Sequence, residues 1–389
     1  MDYYITINVP IHLNNEDYSI LSQAMSEYTK LLYRAYQLAL GYSNGKKLER
    51  RLTRNEIYNI LKKELKTLNT RYLLAAIADA LKAKKSKLEK KKKLKFLILE
   101  RLKLKPQIRS IGRKDRGCAS SIRIDFAKKE LIINFKTRTI IAKMKTRNYH
   151  EKWLNYLKKR VENKEISYTV RIIKIKNKPV AQITFPIFPI IKEISTRDTV
   201  IGVDFNPSFL AYAIVDRTGN LIKIGKIKFE NDLGNNMSKG ERVRILGKGI
   251  KQLIKLAKEL NATIAIEDLQ LYPVINKNKN KKIRQIPHRR FKEILISNSA
   301  LHNIELVFIN PAHTSNIAHH KYHWLKTNEH CIAAFVIARR ALGIIEKIPI
   351  HFLEYKTFKK MIPVKWEIEK GKVNKTRIAW IGPYARFVR

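Results

Sequence analysis

The stretch that most restricts the fold runs from residue 199 to residue 230. Here VIGVDF, FLAYAIV and LIKIGKIKFE read as three successive strands, joined by NPS and by the turn DRTGN. The period then changes. MSKGERVRILGKGIKQLIKLAKEL (237–260) carries apolar residues at helical spacing, and ATIAIEDL (262–269) is a short buried strand. A helix over 288–302, the strand IELVFINP (304–311) and the helix EHCIAAFVIARRALG (329–343) complete the series.

Three antiparallel strands followed by alternating helices and strands form the pattern of an RNase H-like fold, so the expected class is mixed α+β or α/β. The first half has another rhythm. YYITINVPIHL (3–13) reads as a strand, and 15–43, 54–66 and 72–105 as helices. SIRIDF, ELIINF and TIIAKM are short strands between 107 and 145, and ISYTVRIIKIKNKPVAQITFP (166–186) is a hairpin turning at KNKP. Strands flanking helices suggest a β-barrel-like domain over 1–195 with a helical insert at about 15–105. FPIFPIIKEISTRDT (185–199) reads as the linker to a second, RNase H-like domain over 196–345, followed by a basic tail over 346–389.

Charge narrows the partners. The 389 residues hold 80 Lys+Arg against 33 Asp+Glu, a net charge of +47. Such a chain repels itself unless it meets a polyanion, and nucleic acid is the leading one. AKKSKLEKKKKLKFLILERLKLK (83–105) reads equally as a solvated helix face or as a helix facing nucleic acid, with Lys84, Lys85, Lys91 and Lys92 as contacts. Lys277–Lys282, Arg284, Arg289 and Arg290 form a second basic segment after the fourth strand of the second half. Two cysteines, Cys118 and Cys331, exclude a disulfide framework and a Cys-rich zinc ribbon. No apolar run of about 18 residues and no signal core appear, so a soluble intracellular protein with no membrane partner is expected.

An apolar strand that ends in one carboxylate, Asp204, needs a reason, because a buried unpaired carboxylate is costly. In an RNase H-like sheet the first and fourth strands lie side by side, which brings Asp204 to the same edge as Glu267 in AIEDL. Two such carboxylates repel unless a cation sits between them, and hard oxygen donors suit Mg²⁺ or Mn²⁺. Taken singly, Asp204 also reads as the start of an Asx-turn with Asn206-Pro207, and Glu267 as a strand end.

GVDFNPSFLAYAIVDRTGNLI, IAIEDLQL, INPAHTSNIAHHKY and HCIAAFVIARRALG resemble the successive RuvC motifs of transposon-encoded TnpB (OrfB) proteins, relatives of type V CRISPR nucleases. The resemblance covers about 197–345 by motif and the first half by architecture only. It implies an RNA-guided DNA endonuclease with Asp204 and Glu267 as metal ligands. Its partners would be a guide RNA from the transposon end, target DNA and the transposon's own transposase, and its place the prokaryotic cytoplasm at the nucleoid. The sequence departs from the family twice. Where a four-Cys zinc ribbon is usual, SNIAHHKYHWLK (315–326) stands, and no structural zinc is expected despite His319, His320 and His323. The family's third acid lies three residues before an Ala-Ala pair; here Ala333-Ala334 puts His330 in that slot, preceded by Glu329. Either Glu329 supplies the carboxylate from a shifted register, or His330 ligates or acts as a base, or the site is dead. Thr314-Ser315 is expected to hold backbone near the site, and Arg339 and Arg340 read equally as a solvated helix end or as phosphate contacts. A nuclease-dead RNA-guided DNA-binding protein is the alternative function, and a junction-selective nuclease without RNA a third.

Overall fold

The computed structural model describes residues 3–43, 46–50, 52–90, 105–113, 118–119, 121–233, 237–268, 288–344 and 346. Lys91, Lys92, Lys277–Lys282, Arg284 and the tail beyond 346 lie outside the described residues.

The first half is built on a strand at Tyr3–His12 (β1), followed by helices Asn15–Leu40 (α1), Arg54–Lys62 (α2) and Thr70–Lys90 (α3). Local chemistry sets the helix starts. Asn14 caps α1 by accepting from the Asp17 N–H at 2.7 Å, and Thr53 with Glu56 forms a capping box on α2. Strands Gln107–Ser110 (β2), Ile122–Asp125 (β3), Glu130–Asn134 (β4) and Thr139–Met144 (β5) follow. Then come helix Asn148–Glu162 (α4) and the hairpin Thr169–Ile175 (β6) and Lys178–Ile187 (β7). The seven strands form one antiparallel sheet in the order β2-β6-β7-β1-β5-β4-β3. Its two outer strands are joined by side chains: Ser110 Oγ, at the end of β2, accepts from the N–H groups of Ser121 and Ile122 at 2.9 and 3.2 Å. The sheet therefore curls towards closure, as a barrel-like body carrying the helical insert α1–α3.

The stretch 185–199 is more than a linker. Residues 185–187 finish β7, and Ile190–Lys192 (β8) pairs in parallel with a strand of the second sheet. That sheet adds Val200–Phe205 (β9), Phe209–Val215 (β10), Leu221–Lys228 (β11), Thr263–Glu267 (β12) and Glu305–Ile309 (β13). Its order is β8-β13-β12-β9-β10-β11. β9, β10 and β11 are antiparallel, whereas β12 runs parallel to β9 and β13 parallel to β12. An antiparallel meander whose first strand is also the parallel neighbour of the fourth, with the fifth beyond, is the RNase H-like arrangement. The added parallel edge strand β8 was not expected from the sequence.

Alternation along the strands divides the core between two faces. Val200, Ala211, Ala213, Ala265 and Val307 pack against helices Thr314–Lys321 (α7) and Glu329–Ala341 (α8), whereas Ile201, Val203, Leu210, Ile264 and Leu306 face the opposite layer. Helices Lys239–Glu259 (α5) and His288–His302 (α6) pack against one another. No helix among the described residues is long and apolar enough to cross a membrane.

Candidate active site

Both acids end parallel neighbours. The register pairs Val203 with Ile266, one step before Asp204 and Glu267, so the two carboxylates stand at the same carboxyl-end edge of the sheet. Such edges are where open sheets of this kind bind ligands. Asp204 follows Val200 and Gly202 at a spacing of two, and Glu267 follows Ala265, so both belong to the face that carries α8.

Gly202 lets that helix come close. A Cβ added there would lie 2.1 Å from the Ala334 carbonyl oxygen. Two residues along β9 and one turn back along α8 cover similar distances, about 6–7 Å. Asp204 and His330 therefore meet wherever Gly202 meets Ala334. His330 Nδ1 lies 2.7 Å from Asp204 Oδ2.

The second ring nitrogen is also engaged. Asn206 Oδ1 accepts from the Ser208 N–H at 3.1 Å, which leaves its amide nitrogen to donate to His330 Nε2 at 3.0 Å. This network selects the neutral tautomer with the proton on Nδ1, donated to Asp204. The hydrogen bond to Asp204 is the main cause of a raised His330 pKa. The Asx-type bond at this turn is thus made by Asn206, and Asp204 is left free to take His330.

Glu329 stands at the first position of α8, exposed, with its cap Asn328 accepting from the His330 N–H. Adjacent helical residues point about 100° apart, so Glu329 and His330 cannot both face Asp204. Of the two residues considered for the third slot, the geometry puts His330 beside Asp204.

Glu267 is oriented from another side. Thr314 Oγ1, in the first turn of α7, donates to Glu267 Oε1 at 2.5 Å. Burial pushes the Glu267 pKa up, the Thr314 bond lowers it, and the charge of Asp204 raises it further while Arg340 lowers it. The net result is a carboxyl above its ordinary value. Arg340, read from the sequence as a solvated helix end or a phosphate contact, donates through Nη1 to the Asn310 carbonyl at 2.8 Å.

Asp204 and Glu267 line a cavity of about 210 Å³ with Phe205, His288, Arg289 and Lys292. Phe205 stacks on Phe291 with ring centroids 4.5 Å apart and meets His288 edge-on at 5.2 Å. Burial holds the His288 pKa below its usual value against the pull of Asp204. The first turn of α6 thus roofs the acids.

The other expected contacts fall elsewhere. Arg289 and Arg290 both pair with Glu293, at 3.0 and 2.8 Å, and only Arg289 also lines the cavity. Lys84 and Lys85 lie on α3 and do not line this cavity. Arg339 is bound into the structure: its Nε donates to the buried Glu346 at 2.5 Å and its Nη1 to the Gly219 carbonyl at 2.6 Å. His319 and His320 sit on α7 with ring centroids 4.8 Å apart, and His323 follows in a short turn. No group of three or more His, Cys, Asp or Glu among the described residues is arranged to hold a metal ion. Asp204 and Glu267 themselves fit a hard divalent cation: both offer oxygen, both face one cavity, and each charge disfavours the other.

Residues 4–195 match the family model described as the SSO2105 N-terminal domain. No curated protein matches the chain in sequence. Among solved structures, the Cas12f1–sgRNA–target DNA complex is 13% identical over 84% of this chain and 82% of that one, with a TM-score of 0.48. A CRISPR–Cas12f ternary complex is 11% identical over 83% and 82%, with a TM-score of 0.34. T. thermophilus RuvC bound to a Holliday junction substrate is 11% identical over 36% of this chain and 90% of that one, with a TM-score of 0.28. The fold reading rests on the strand order and register of the second sheet.

Proposed function

We propose that the chain is a transposon-associated, RNA-guided DNA endonuclease of the TnpB (OrfB) kind, hydrolysing phosphodiester bonds with the help of Mg²⁺ or Mn²⁺. The observation that carries this reading is the pair Asp204 and Glu267 on adjacent parallel strands, in an RNase H-like sheet and within one cavity. The successive motifs along residues 197–345 and the net charge of +47 support it. Asp204 and Glu267 would hold the divalent ions, which supply activation of water and stabilisation of the leaving 3′ oxygen when bound. His330 fixes the orientation of Asp204, and Thr314 that of Glu267, so that each carboxylate keeps its second oxygen for a ligand. His288, Phe205 and Phe291 wall one side of the cavity and limit water there.

In this reading residues 1–195 grip the guide RNA and its paired target, 196–345 cut, and sequence choice is delegated to base pairing. The same division of labour is described in general terms for another RNA-guided nuclease.

A nuclease-inactive, RNA-guided DNA-binding protein is the second reading. One observation favours it: the group facing Asp204 from α8 is an imidazole whose two nitrogens are both engaged, and not a third carboxylate.

The test is cleavage of a guide-matched duplex by protein purified with its transposon-end RNA, with and without Mg²⁺, beside Asp204→Ala. Magnesium-dependent cutting that disappears in the variant supports the nuclease. Guide-dependent binding without cutting in either protein replaces it with the second reading. Absence of guide-dependent binding removes both.

A further inference from the structure

Outside the acid site, a groove of about 840 Å³ lies on the outer face of the first sheet. Its floor follows from the register. Asn8 pairs with Gln182, Gln182 with Arg171, and Arg171 with Arg109, so one row crosses β1, β7, β6 and β2. The next row is Thr6, Thr184 and Thr169, with the Thr6 and Thr184 hydroxyls 2.8 Å apart. Tyr4 and Phe188 stand at the same end of the groove, 64% and 51% exposed.

Two arginines directly opposite on neighbouring strands repel. Here they share a single counter-ion from α3. Asp79 Oδ1 accepts from Arg109 Nη1, and its Oδ2 lies 3.4 Å from Arg171 Nη2. Burial, and after it the charge of Arg171, push the Arg109 pKa down. One carboxylate for two guanidinium groups leaves surplus positive charge, to which Lys82 on the same wall adds. The acid in the groove's described lining, Glu165, is already tied to Arg160 at 3.0 Å. Arg171 is the freer arginine: its side chain is 38% exposed, against 15% for Arg109.

We propose that this groove binds a single-stranded stretch of nucleic acid, with phosphates at Arg171 and Lys82, bases stacked on Tyr4 and Phe188, and the threonine and glutamine row hydrogen-bonding base edges or sugars. Charge complementarity selects a polyanion, and exposed aromatic rings beside neutral polar groups select unpaired bases. A duplex hides its base faces and offers the two rings nothing to stack on. Asp79 then acts as the resident anion that keeps Arg109 and Arg171 aligned until phosphate arrives. The proposal rests on the nucleic-acid reading above and assigns it a surface distinct from the acid site.

The experiment uses full-length protein and measures Kd for a labelled single-stranded RNA, a single-stranded DNA and a duplex of the same sequence. The variants are Tyr4→Ala/Phe188→Ala and, separately, Arg171→Gln. The aromatic pair is surface-exposed, so its loss leaves the fold intact. Loss of roughly fivefold or more in single-strand affinity, with duplex affinity unchanged, is expected for the aromatic variant. Arg171→Gln should weaken single-strand binding and flatten its salt dependence. A larger effect on RNA than on DNA assigns the groove to RNA, and the reverse to a displaced DNA strand; either outcome supports the site. Single-strand binding by both variants equal to wild type overturns the groove while leaving the nuclease reading intact if cutting persists. Wild-type protein that binds no single strand overturns the groove and the guide-RNA reading together.

Discussion

His330 donates its Nδ1 proton to Asp204 Oδ2 across 2.7 Å, tying the first turn of α8 to the end of β9. In a carboxylate destined for a cation, such a bond fixes which oxygen is left to coordinate. Replacing His330 by Ala should lower Mg²⁺-dependent cleavage by roughly 10- to 100-fold, chiefly through weaker metal affinity. Glu329→Ala, on the exposed face of the same turn, should leave cleavage unchanged. A magnesium titration of both variants separates the two residues, and the reverse order of effects would restore the shifted-register reading.

Gly202 should tolerate no side chain. A Cβ 2.1 Å from the Ala334 carbonyl oxygen forces α8 off the sheet, and His330 moves with it. Gly202→Ala is expected to cost about 1–3 kcal/mol of stability by overpacking. It should also weaken metal-dependent activity as His330→Ala does. Denaturant unfolding together with the cleavage rate checks both halves of the claim.

Arg339 is a structural residue in this fold. Its guanidinium answers Glu346, whose side chain is fully buried and also accepts from the Tyr322 hydroxyl. Arg339→Ala leaves a buried carboxylate with its main cation gone, a change that costs about 3–5 kcal/mol. The expected result is a lower denaturant midpoint with nucleic-acid affinity per folded molecule unchanged. A stable variant that binds nucleic acid poorly would return Arg339 to the phosphate contacts.

Acid sensitivity should have one traceable source at Glu305. Burial pushes its pKa up, but hydrogen bonds from the Thr196 hydroxyl and N–H and from the Thr263 hydroxyl outweigh it, and the net shift is downward. A carboxyl lowered on folding contributes stability that is present above its unfolded pKa of 4.5 and is lost as pH falls through the folded value. Glu305→Gln is therefore expected to be less stable at neutral pH and to lose less on acidification below that point. Melting temperatures of both proteins across pH 3–7 test the sign.

The strands and helices of the second half were legible because each has one strong period. β9, β10, β12, β13, α5, α6 and α8 all lie where apolar spacing puts them. Other elements have weak signals. α4 buries only Trp153, Leu154 and Leu157 among its 15 residues, a stripe too narrow to read among its charges. α7 begins after His313 in the left-handed region, with no side-chain cap to announce it. β8 has three exposed residues in a Pro-punctuated stretch and exists because β13 offers it an edge. At the site, the pairing of Asp204 with Glu267 followed from strand order alone. The choice between Glu329 and His330 did not, since it is set by a tertiary contact between Gly202 and Ala334. Asp79 was invisible for the same reason: its two arginines come from strands 30 and 92 residues away.

The central claim is that Asp204 and Glu267 share a divalent cation, and it is tested most directly by binding of Mn²⁺ to the protein without guide or target, followed by electron paramagnetic resonance. The account predicts bound Mn²⁺ in the wild type, displaced by Mg²⁺, and its loss in both Asp204→Asn and Glu267→Gln. Equal Mn²⁺ binding by the wild type and the two variants would contradict it.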